Sequence, residues 1–137
     1  MNMKPKQKKE TIRKLRAFFE PRPEIIFSYL HGSFVEGISF RDIDIAVYVD
    51  ETIIHAGKEI DYGIDISIEA EAATKVTPID LKVINNAPIA FQFHSTKGIL
   101  LFSKDDEVRT DFLATVWSLY YDQTITKRDF LKEMLGG

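Results

Sequence analysis

Residues 29–50 read YLHGSFVEGISFRDIDIAVYVD. The stretch parses as the end of one strand, a glycine-serine turn, a short connection, and a second strand that opens with two carboxylates. Asp42 and Asp44 are two residues apart, and in a strand such residues point to the same face. Ile43, Ile45, Val47 and Val49 then fall on the opposite face, where they can fill a core. Two adjacent like charges repel unless one is protonated or a cation lies between them. A divalent cation with oxygen ligands suits the pair, and magnesium is typically held by one or two carboxylates plus substrate phosphates. Gly32 and Ser33, just upstream, offer a backbone that a phosphate can approach closely, N–H groups and a hydroxyl.

Working outward, residues 24–31 are rich in β-branched and aromatic types and read as the first strand. Before them, Ile12, Leu15 and Phe19 recur at helical spacing, predicting a helix over about 9–20 that Pro21 and Pro23 end. After the second strand, Ile60, Ile64 and Ile68 repeat every four residues and run into an Ala/Glu segment. That favours a helix over about 56–74, although Ile64, Ile66 and Ile68 also alternate as a strand would. Residues 77–84 form a third strand, with Ile79, Leu81 and Val83 on one face and Asp80 and Lys82 on the other. Pro88 starts a short helix. Ile99–Ser103 reads as a fourth strand, Asp105 or Asp106 caps a helix running to about Tyr121, and Thr126 caps a short last one.

The 137 residues, with 45% hydrophobic and 28% charged, are expected to form one domain spanning 1–137 with a real core. No cysteine is present, which excludes disulfides and thiolate metal sites and fits a cytoplasmic location. No apolar stretch reads as an export signal or a membrane span. Seven of the 18 basic residues lie within 1–16, beside one of the 21 acidic ones. Residues 1–8 read as a basic, partly frayed tail, or else as part of a contact with a nucleic acid or an acidic partner.

Asp80 on the polar face of a third strand adds a third carboxylate to Asp42 and Asp44. Three carboxylates converging on magnesium suit phosphoryl or nucleotidyl transfer, and the third can accept the proton of an attacking hydroxyl. A solvated surface aspartate is the alternative reading of Asp80. Lys82 can reach a phosphate or offset Asp80, and His31 reads as packing, a local hydrogen bond or a substrate contact. His55 and His94 lack ligand spacing. Trp117, Tyr120 and Tyr121 suit a core or, where exposed, a partner surface.

Gly32-Ser33, Asp42-Ile43-Asp44 and Asp80 within Ile-Asp-Leu-Lys-Val-Ile-Asn together resemble the MNT-type minimal nucleotidyltransferases of the polymerase-β-like superfamily, over nearly the whole chain. The resemblance implies an α/β (α+β) fold with a mixed sheet flanked by helices. It implies that Gly32 and Ser33 hold the triphosphate, that Asp42 and Asp44 hold metal, and that Asp80 completes the site and activates the acceptor. It further implies Mg2+, ATP as substrate, and a HEPN-domain protein partner. Such proteins are similar to antitoxins that transfer AMP to a tyrosine of a HEPN toxin. A homo- or hetero-oligomer fits this reading, a membrane does not, and nucleic acid is not the expected partner. The sequence departs from the family pattern in placing eight residues, 34–41, between Ser33 and Asp42 where ten are usual, and in having Arg41 where a serine often stands. An antitoxin acting by contact alone is therefore the rival reading. A small-molecule enzyme of the antibiotic-modifying kind fits less well, because the chain leaves little room for an added helical domain.

Overall fold

The computed structural model describes residues 3–37 and 42–135, and of 123–131 the backbone alone. Four strands form one mixed sheet: β1 (Ile25–His31), β2 (Ile43–Val49), β3 (Ile79–Val83) and β4 (Ile99–Ser103), in the order β3-β2-β1-β4. β1 runs antiparallel to both β2 and β4. β2 and β3 are parallel. A parallel pair needs a crossover, which a helix supplies over Glu59–Thr74.

The helices are α1 (Pro5–Phe19), α2 (Ser33–Glu36), α3 (Glu59–Thr74), α4 (Ile89–Ser95) and α5 (Asp106–Met134). α1 starts ahead of the expected residue 9, with Pro5 in its first turn, where a missing N–H costs nothing. Gln7 Oε1 accepts a hydrogen bond from the Lys4 N–H at 3.1 Å and closes that end. α2 occupies part of the stretch expected to be plain connection. Asp105 caps α5, its Oδ1 accepting the Val108 N–H at 3.1 Å. The expected break before Thr126 does not occur. Residues 121–134 contain neither proline nor glycine, so nothing stops the helix, and Thr and Asp lower its propensity only slightly.

The alternation of β2 holds. Ile43, Ile45, Val47 and Val49 are all buried, in a cluster with Leu15 and Phe19 of α1 and with Ile66 and Ala70 of α3. The opposite face of the sheet carries a smaller cluster built on Phe27, Tyr29, Ala46 and Ile84, partly covered by Phe91 of α4 and Phe112 of α5. Asn85 stitches the far end of β2 to the turn after β3: its Oδ1 accepts the Val49 N–H at 2.9 Å and its Nδ2 donates to Val49 O at 2.8 Å. At the near end, the Ile43 N–H donates to Pro78 O at 3.0 Å. Both strands that carry acidic residues are thus pinned top and bottom.

Candidate active site

The site lies where the smaller cluster runs out. On that face the side chains of β2 change from Tyr48 and Ala46, which are packed, to Asp44, which is half-buried. The register pairs Asp44 with Asp80 on one side and with His31 on the other. One lateral row therefore crosses three strands: His31 on β1, Asp44 on β2, Asp80 on β3. Asp42 stands just before β2 and is exposed. One oxygen each from Asp42, Asp44 and Asp80 can be chosen so that all lie within 4.8 Å of one another. Asp80 is therefore no isolated surface aspartate.

Gly32 follows β1 with φ 78° and ψ −161°, a region essentially reserved for glycine. A Cβ there would stand 2.2 Å from Asp44 Oδ2. The glycine is thus required twice, by its backbone and by the carboxylate that fills the space a side chain would take. Ser33 is half-buried beside it and begins α2. Arg41 lies outside the described residues.

Electrostatically the site is strained toward anionic repulsion. Burial, then Asp80 and Asp42, push the Asp44 carboxyl above its ordinary value, and Lys82 opposes them. Lys82 Nζ sits 3.8 Å from Asp80 Oδ2 and 5.6 Å from the centre of the Phe91 ring. That agrees with the reading of a lysine that offsets Asp80. It is largely exposed, so it screens the pair weakly. Burial lowers the pKa of His31, with Asp80 opposing and Lys82 assisting. Its ring meets Phe91 edge-on at 5.5 Å, the packing role expected, yet it also belongs to the row of acidic residues.

The donor set is all oxygen, carries excess negative charge and converges. That fits a hard divalent cation such as Mg2+ rather than a soft one. Asp42 and Asp44 would hold it, with Asp80 within reach.

The other singled-out residues lie elsewhere. His55 is exposed, its Nδ1 3.1 Å from Glu51 O. Phe93 stacks on Tyr120 at 3.9 Å and meets Trp117 and Tyr121 edge-on, so the aromatic cluster joins α4 to α5, and Tyr121 remains exposed. Sequence reasoning missed a groove of about 790 Å³ that begins at Asp80 and Lys82 and runs between α3 and α4. Its signal was present in Ile60, Ile64 and Ile68, which served to identify the helix; they do not face the core.

A family model described as Polymerase beta, Nucleotidyltransferase matches residues 13–107. Among solved structures, one of tri-AMPylated Shewanella oneidensis HEPN toxin in complex with MNT antitoxin is similar. It shows 15% identity and a TM-score of 0.67, over 93% of this chain and 98% of the matched one. A toxin–antitoxin structure with AMP-PNP gives 18% identity and a TM-score of 0.64 over 93% and 98%. A toxin–antitoxin structure of MntA–HepT gives 15% and 0.65 over 91% and 97%. No match was found among curated proteins.

Proposed function

The chain belongs to the polymerase beta nucleotidyltransferase family, and from that premise we propose that it transfers AMP from ATP, with Mg2+, to a hydroxyl of a partner protein. The observation that carries this reading is the row of carboxylates built across β2 and β3, with Gly32 holding the space beside Asp44. The partner is a HEPN-type toxin, by analogy with the complexes that share the fold, and the protein acts as its antitoxin in the cytoplasm.

Gly32 and Ser33 bind the triphosphate, the first by leaving its backbone open and the second through its hydroxyl. Mg2+, when bound by Asp42 and Asp44, neutralises triphosphate charge and polarises the phosphorus that is attacked. Asp80 accepts the proton of the acceptor hydroxyl as that oxygen bonds to the α-phosphorus. The bond from the α-phosphorus to the bridging oxygen breaks, and pyrophosphate leaves with the electron pair. Lys82 steadies Asp80 and lies where it can meet a phosphate.

Calorimetric titration of the protein with ATP, with and without Mg2+, beside an Asp42→Asn/Asp44→Asn control, tests the site. Magnesium-dependent binding that the control loses is the expected result, followed by a mass gain of AMP on the partner. Full transfer by an Asp44→Asn variant would overturn the mechanism. A second reading, neutralisation by contact alone, is favoured by the spacing of eight residues, 34–41, between Ser33 and Asp42. It requires that a variant with all three aspartates changed to asparagine still neutralise the partner.

A further inference from the structure

β3 is an edge strand. Its pairing to β2 uses Pro78 O and Ile84 N–H at the two ends. In a parallel ladder that register turns the main-chain groups of Leu81 and Val83 away from β2, and both residues are buried. α3 lies unusually close to this edge, because Gly63 has no side chain: a Cβ there would stand 3.0 Å from Leu81 O. The helix therefore brings Ile60, Ile64 and Ile68 alongside β3. These three are 78%, 56% and 61% exposed. Isoleucines spaced by four, on one face and in water, are not what a solvated helix face carries. α3 meets the core instead with Gly63, Ile66, Ser67, Ala70 and Thr74. Phe91 and Pro88 form the opposite wall of the groove, and Asp80 and Lys82 line its end at the site.

Two further observations say what fits. α3 carries Glu59, Asp61, Asp65, Glu69 and Glu71 and no basic residue. Glu69 is engaged by Arg22 at 3.1 Å, whereas Asp61 and Asp65 are exposed next to the isoleucine stripe. The apolar groove is also continuous with the carboxylate row at Asp80. We infer that the groove holds an extended segment of the protein acceptor, apolar at alternate positions and basic beside α3. The segment lies in the groove alongside β3, and its hydroxyl side chain reaches Asp80. Alternate side chains of an extended segment face the same way, so one set meets the isoleucines and supplies selectivity. The inference rests on the transfer reading above for the role of the hydroxyl.

The probes are short fluorescein-labelled peptides with one tyrosine among alternating valine and lysine, and counterparts with glutamate for lysine, titrated against the whole protein by fluorescence polarisation. The lysine peptides bind the wild type and the glutamate peptides bind more weakly. Ile64→Ser weakens lysine-peptide binding about tenfold, and Asp61→Asn/Asp65→Asn weakens it selectively for the lysine peptides. Both sites are exposed, so the fold persists, and Mg-ATP binding is unchanged. Absence of peptide binding, equal binding of both charge types, or indifference to Ile64→Ser overturns the inference. So does a wild-type dimer that Ile64→Ser dissociates, which would make the groove a contact between copies. Loss of Mg-ATP affinity in Ile64→Ser would assign the groove to the nucleotide and equally overturn it. Peptide binding by a wild type that takes no Mg-ATP would instead sink the transfer reading and leave the docking groove standing.

Discussion

Replacing Gly32 with alanine imposes two separate costs at one residue. The backbone at φ 78° and ψ −161° lies where a residue with a Cβ costs about 1–3 kcal/mol. The new Cβ would also stand 2.2 Å from Asp44 Oδ2 and 3.2 Å from Asp44 Cγ. The carboxylate is a side-chain end and can rotate, but leaving a staggered position costs about 0.5–1.5 kcal/mol. Together these give a destabilisation of about 2–4 kcal/mol. At roughly 3–5 °C per kcal/mol for a chain of this size, the melting temperature falls by about 6–20 °C. The same rotation takes Asp44 out of the acidic set, so Mg-ATP binding is lost even well below the new melting temperature. Scanning calorimetry measures the first effect, and titration of the folded variant at low temperature measures the second. A Gly32→Ala protein that melts within about a degree of the wild type and still binds Mg-ATP refutes the reasoning. Loss of stability with binding intact would show that the backbone term acts alone and that Asp44 is not held by the glycine.

Three other substitutions are expected to separate framework from site. Asp44→Asn stabilises the metal-free protein at pH 7 while abolishing magnesium-dependent binding. Asp44's carboxyl is pushed up in the fold, so its charge costs stability above the folded pKa. The gap to the asparagine variant closes as pH falls through that value toward the ordinary carboxylate range, which melting curves at pH 7 and pH 4 would reveal. Gly98→Ala sets a Cβ 1.9 Å from Leu30 O; backbone cannot rotate aside as a carboxylate can, and a loss of about 2–4 kcal/mol is expected in urea denaturation. Asn85→Ala removes the two hydrogen bonds to Val49 and is expected to cost about 1–3 kcal/mol, with Mg-ATP binding retained because the far end of β2 alone is loosened.

Local patterns that the chain carries within a few residues were the legible ones. The β2 alternation put four apolar residues inward, and Ile79, Leu81 and Val83 behaved likewise. Asp42 and Asp44 were legible as a pair because a strand's period of two needs no partner. The union of Asp44 with Asp80, and the entry of His31 into the same row, depend on register between paired residues 36 and 13 positions apart in sequence, which local spacing does not encode. α3 was recognised from its isoleucines, yet the core takes Ile66 and Ala70 instead. A four-residue repeat signals a helix face without saying which way that face turns. The break expected near Thr126 failed for a simpler reason: a threonine can cap a helix, but without a glycine or proline nothing ends the one before it.

The distance between Asp44 and Asp80 is set by main-chain pairing of two parallel strands, about 4.8 Å apart in any sheet. Side-chain packing need only keep the sheet flat enough locally for that rung to persist. The spacing of these two carboxylates is thus written in peptide units, which every sequence shares. Core exchanges that conserve volume leave that spacing in place.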